Sequence, residues 1–256
     1  IHRDVAPNAG AGFDLHPQVS LAAGGLVLLF IVLTLLFRDQ SAAFFQHVLD
    51  GIGNTFGWLY ILAANFFVIV MLLIAASRYG SIRIGGPDAL PEFSTFSWYA
   101  MLFSAGMGIG LMFWSVAEPV FHYATPSPMF DVLPNTAQSA QVAMGLTYYH
   151  WGIHPWGIYA LVGLSLAFFA YNRGLPLTIR SVFHPILGDR IYGFWGNVID
   201  VLSVMATLFG LATSLGLGVT QVSAGLNYLF GLPTDTWFAV VLIGGLNLRS
   251  PDDRGR

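Results

Sequence analysis

No residue between Leu21 and Phe37 carries a charge, and the same holds from Phe56 to Ala76 and from Ala140 to Ala170. Each run approaches or exceeds the roughly 20 apolar residues that a helix needs to cross a bilayer. Two further runs, Phe93 to Phe121 and Trp195 to Phe230, hold one acidic residue each, Glu118 and Asp200. Hydrocarbon offers no water to backbone N–H and C=O groups, so such segments must satisfy their backbone internally, as helices do. The chain is expected to be an all-α integral membrane protein with spans at 21–37, 56–76, 93–121, 140–170 and 195–230.

A sixth run, Thr236 to Leu246, stops after about eleven residues, short of a full span. The tail at 247–256 turns abruptly polar and is read as aberrant or truncated. The chain starts at Ile1 without methionine, with polar residues unlike a secretory signal; it is read as part of a longer protein. Charged residues make up 9% of the chain, against about 25% in a soluble domain. A net charge of −3 implies no attraction to nucleic acid. The absence of cysteine excludes disulfides, thiolate metal sites and a cysteine nucleophile. No nucleophile with its base, and no metal cluster, is recognisable within the spans, so the chain is not expected to be an enzyme.

Orientation follows from the arginines. With a cytoplasmic N-terminus, Arg3, Arg78, Arg83, Arg173, Arg180, Arg190, Arg249, Arg254 and Arg256 lie inside, and only Arg38 lies outside. That asymmetry satisfies the positive-inside rule. The segment 171–193 mixes arginines with Leu175, Ile179, Val182, Phe183 and Ile186, a pattern that suits a helix lying along the cytoplasmic interface, with an ordinary connecting loop as the alternative. Before the third span, Pro91 and Ser94 or Ser97 are placed to start and cap its helix.

That third span contains Gly106-Met107-Gly108-Ile109-Gly110. Each glycine costs a helix about 1 kcal/mol relative to alanine, and the spacing of Gly106 and Gly110 alone would suit close helix packing. Packing does not call for a third glycine at 108, so a local unwinding is expected. Transporters use such breaks to hold solutes and ions near the midplane, which makes Gly106, Met107, Gly108 and Gly110 candidate solute-site residues.

In the fourth span, Trp151, Trp156 and Tyr159 project at about 0°, 140° and 80° if the helix is continuous at 100° per residue, with Pro155 loosening it between them. A quaternary ammonium has no N–H to donate, so a cage of aromatic faces is the workable receptor, each desolvated contact contributing about 2 kcal/mol. Aromatic residues near a helix end also form interfacial belts.

Other polar residues invite plainer readings. Glu118 suits a structural hydrogen-bonding role, and Asp200 a favourable charge at a helix N-terminus. His150 and His154 stand at i, i+4 but without a carboxylate or third histidine, so no metal site is expected. Thr207, Thr213 and Ser214 could face an ion, although such hydroxyls usually bond to their own preceding turn.

Gly106 to Gly110, followed by Ala117-Glu118-Pro119, resembles the signature of the betaine/choline/carnitine transporter family. The resemblance extends to Pro91-Glu92-Phe93-Ser94, Ser104-Ala105 and His150-Trp151 through Tyr159, covering span one to about Gly245. It implies a partial LeuT-type inverted-repeat fold, with two extra helices followed by most of the first repeat. It implies a secondary transporter of quaternary-ammonium osmolytes in the plasma membrane, with the lipid bilayer as its surroundings and a homotrimer as its assembly. The alternatives are proton-coupled or exchange transport of choline or carnitine, or a non-transporting membrane interaction protein. Sodium is the implied coupling ion, with the carbonyls of Ala105 and Met107 as ligands; Thr207, from its hydroxyl and not from the resemblance, is a candidate contact for a second ion. No other cofactor is implied. Choline carriers of the family tend to hold aspartate at the place of Gly110, so glycine there favours betaine or a similar zwitterion. The family's cage takes a further tryptophan from a later helix, and the chain alone is expected not to transport.

Overall fold

The computed structural model describes residues 16–106 and 108–247. Among the described residues the secondary structure is helical. Four stretches, Pro17–Leu36, Arg38–Ala76, Ala137–Asn172 and Phe194–Phe230, are long and apolar enough to cross a membrane. Their leucines, isoleucines and phenylalanines are largely exposed on the chain's own surface. A helix that is apolar all round needs lipid or more protein around it. The chain is an all-α, multi-pass membrane protein.

The helices group into two compact units. One runs through Leu90 and resumes at Gly152–Thr207; the other holds Pro91–Trp151 and resumes at Leu208. In the first, α1 (Pro17–Leu36) begins with proline at its first position, and the His16 ring accepts from the Val19 amide. Helix α2 (Arg38–Ala76) starts well before the span expected at 56–76. Hydropathy marks only the part that can sit in lipid, whereas polar residues such as Gln46 and Asp50, hydrogen-bonded at 2.9 Å, are compatible with continuing the helix. At 1.5 Å per residue α2 is about 58 Å long, roughly twice the hydrocarbon thickness.

Helix α6 (Ile153–Ala167) packs against α2. Gly157 makes this crossing possible: a Cβ there would lie 2.7 Å from Val68 Cγ2 and 3.2 Å from Val68 Cα. On the same contact, Asn65 Oδ1 lies 3.2 Å from Nε2 of His154. The helix ends in one π-helical turn, Phe168–Asn172. Asn172 then donates to the Arg83 carbonyl and accepts from the Gly85 amide.

The expected interfacial helix at 171–193 is not one helix. It is a chain of short turns, α7 (Ile179–Val182), α8 (His184–Leu187) and a 3-10 turn at Gly188–Tyr192. What organises them is Arg180, which is 3% exposed. Its Nε donates to Asp200 at 2.6 Å, and its other guanidinium nitrogens to the Ile191 carbonyl and to Asn197. Asp200 is therefore the partner of a buried arginine rather than a free charge at a helix start. Asn197 in turn donates to Gln18 on α1 at 2.5 Å.

In the second unit, α3 (Thr95–Gly106) is capped by Ser94, whose hydroxyl accepts from the Ser97 amide. Helix α4 (Ile109–Ala124) carries Pro119 inside it. It packs against α5 (Ala137–Trp151). Thr136 and Ser139 cap α5 reciprocally, each hydroxyl accepting from the other's amide. Helix α9 (Phe194–Phe230) supplies residues to both units, and α10 (Thr236–Asn247) opens with Asp235 accepting from the Phe238 amide. The tail at 248–256 lies outside the described residues.

Candidate functional site

The third expected span is broken at the glycines. Helix α3 ends at Gly106, and Gly108 is extended, with φ −65° and ψ 170°. Its carbonyl accepts the first bond of α4, from the Met112 amide at 3.2 Å. Ala105 lies in the last turn of α3 and Gly110 in the first turn of α4; Met107 lies outside the described residues. Neither backbone nor crowding demands glycine at 108, because φ is negative and a Cβ would meet nothing within 4 Å.

The fourth span is also broken, at Gly152 rather than by Pro155. Gly152 has ψ −131°, which no helix accommodates. Pro155 falls in the first turn of α6, where a missing N–H costs no helical bond. This corrects the helical-wheel argument. Trp151 ends α5 while Trp156 and Tyr159 belong to α6, so angles computed along one helix do not relate them. Trp156 and Tyr159 do adjoin, with ring centroids 5.8 Å apart and planes at 39°. Both rings are exposed, and α6 carries no acidic or basic residue besides His154.

Trp151 has a different partner. Its indole N–H donates to Oε2 of Glu118 on α4. The other carboxylate oxygen meets Nδ1 of His150 and lies 3.4 Å from Nε2 of His122. Glu118 is buried, at 7% exposure. A buried carboxylate is tolerable only when its lone pairs are taken, and here an indole and two imidazoles take them. In the sequence His150 and His154 stand at i, i+4 without a carboxylate or a third histidine. The fold brings both to His150, while His154 turns to Asn65. These partners are 32 residues apart along the chain; the signal was the lone acid in an apolar run.

The hydroxyl of Thr207 donates to the Ser203 carbonyl at 2.8 Å and that of Thr213 to Phe209 at 2.9 Å. Each occupies its own helix with its proton and keeps oxygen lone pairs for another partner. A separate cavity of about 520 Å³ lies between the end of α2 and the π-helical turn, lined by residues such as Met71, Tyr79, Leu164 and Phe168. Its lining has no charged side chain and includes neither Trp156 nor Tyr159.

Comparison with known proteins agrees with this architecture. The family model described as betaine/carnitine/choline family transporter matches residues 18–248. The glycine betaine transporter 1 of Vibrio parahaemolyticus is 49% identical over 240 residues, 91% of this chain and 45% of the relative. The glycine betaine transporter of Acinetobacter baylyi is 45% identical over 230 residues, 90% of this chain and 34% of the relative. The high-affinity choline transport protein of Escherichia coli is 47% identical over 219 residues, 86% of this chain and 32% of the relative. The chain thus spans less than half the length of these relatives. With residues 18–248 of its 256 matched by the family model, the chain belongs to the betaine/carnitine/choline transporter family, whose members are transporters and not enzymes.

Proposed function

We propose that the chain forms part of a sodium-coupled carrier of glycine betaine that works by alternating access. The observation that carries the solute class is the pair of adjoining faces of Trp156 and Tyr159, 5.8 Å apart, on a helix without anionic side chains. Aromatic faces attract a quaternary ammonium that cannot hydrogen-bond, and Trp151 would add a third face. The break between α3 and α4, with Gly108 extended and Gly106 and Gly110 on either side of it, supports an approach to the solute, and Met107 is proposed there with them. Carbonyls at such a break suit a hard cation, so Ala105, Met107 and Thr207 are proposed for sodium. Gly110 supplies no counter-charge, which favours a zwitterion over choline.

The proposed frame is a LeuT-type inverted repeat in the plasma membrane, with a cytoplasmic N-terminus and a trimeric assembly. The residues here supply part of the site, and the chain alone is proposed not to transport. The test is a chimera in which residues 18–246 replace the matching segment of the Vibrio parahaemolyticus relative. In cells lacking other betaine carriers it should take up labelled glycine betaine only when sodium is present. Uptake driven equally by a proton gradient would remove the sodium assignment, preference for choline would remove the zwitterion, and no uptake of any quaternary ammonium would overturn the reading.

A further inference from the structure

Glu118, His122 and His150 form a set that the transport reading does not use. Glu118 and His122 stand one turn apart on α4, and His150 reaches them from α5. One ligand atom from each falls within 4.8 Å of the others, and the two imidazole rings are 6.0 Å apart. Trp151 holds the second oxygen of Glu118, leaving the first aimed at the histidines. Outer hydrogen bonds of this kind orient the carboxylates and imidazoles that bind metals.

Charge points the same way. A carboxylate inside an apolar helix is costly without a cationic partner. Neutral imidazoles give it hydrogen bonds and no positive charge. A divalent ion would supply that charge and leave both histidines neutral. Two imidazoles and one carboxylate, with a further position open, is a donor set that zinc accepts. Magnesium and calcium prefer oxygen-only surroundings.

We propose that Glu118, His122 and His150 bind a divalent transition metal of borderline softness, with zinc as the type. The ligand atoms are Oε1 of Glu118, Nε2 of His122 and Nδ1 of His150. Around a tetrahedral zinc, with bonds of about 2.0–2.1 Å, ligand atoms stand about 3.3–3.4 Å apart. The 3.4 Å between Glu118 and His122 already matches. Only the His150 ring must withdraw from direct contact with the carboxylate, and its side chain is 47% exposed, which also gives the ion a way in.

The test uses the full chain in detergent micelles at neutral pH, with any affinity tag removed, and zinc titrated against a chromophoric chelator. One equivalent should bind, cobalt should give the visible absorption of a tetrahedral site, and zinc should abolish that absorption. His122→Gln and His150→Gln should each weaken zinc binding by about tenfold or more, with helicity by circular dichroism unchanged. His47→Gln, a histidine on α2, should leave it unaltered. Glu118→Gln risks misfolding, so the histidine variants decide. Equal zinc binding by the wild type and the His122→Gln/His150→Gln double variant would overturn the proposal. So would displacement of zinc by excess sodium or magnesium.

Discussion

Trp151, the last residue of α5, donates its indole N–H to Glu118 in the apolar body of α4. The bond explains how an acidic residue persists in that helix, and it fixes the plane of a ring proposed to face the solute. A hydrogen bond to a charged group contributes about 1.5–3 kcal/mol. Trp151→Phe keeps an aromatic face and removes the N–H, and should cost stability of that order. In a double-mutant cycle with Glu118→Gln the two changes should be coupled, read as chemical denaturation of the chain in micelles. Strictly additive losses would show that the two side chains do not support each other.

The guanidinium of Arg180 is buried and shared among Asp200, Asn197 and the Ile191 carbonyl. Removing one partner of a buried pair strands the other, at about 3–5 kcal/mol. Arg180→Ala should therefore lower the thermal midpoint strongly. Arg180→Lys should fall between it and the wild type, because an ammonium cannot match the planar fork. Light-scattering or fluorescence melts in detergent measure this, and an Arg180→Ala midpoint equal to the wild type would dismiss the network's role in stability.

The residues that the sequence made legible are those whose physics is local. Spans around 21–37 and 195–230 emerge from hydropathy because a helix in lipid must be apolar along its own length. The break at Gly106–Gly110 emerges because glycine acts on its own backbone. Residue pairing over distance was not legible. Nothing near Asp200 in the sequence names Arg180 as its partner, and nothing near Glu118 names His150 or Trp151. The kink at Gly152 was hidden for another reason: Pro155 offers a stronger local signal for a break, yet at the start of a helix proline is harmless. The early start of α2 escaped because polarity marks where lipid ends, not where a helix ends.

Gly157 and Gly163 both lie on α6, and the structure separates them sharply. A Cβ at 157 would collide with Val68 at 2.7 Å, whereas one at 163 meets nothing within 4 Å. Gly163→Ala should be neutral or stabilise by about 0.5–1 kcal/mol through helix propensity. Gly157→Ala should destabilise despite that same gain, and Gly157→Leu more so, by forcing α2 and α6 apart. Val68→Ala combined with Gly157→Ala should recover part of the loss. Equal melting of the two alanine variants would mean that the crossing is looser than 2.7 Å implies.

Gly108 gives the opposite contrast, between fold and function. Its backbone is extended with negative φ, and its Cβ position is open. Alanine there fits the chain, so Gly108→Ala should melt within about 0.5 kcal/mol of the wild type, as substitutions away from packed features do. If the open position is where the solute lies against the backbone, an added methyl group takes its place. The chimera carrying Gly108→Ala should then lose glycine betaine uptake, with a raised KM, while its amount in the membrane is unchanged. Undiminished uptake would move the solute away from this break and leave the glycine there as a determinant of helix unwinding alone.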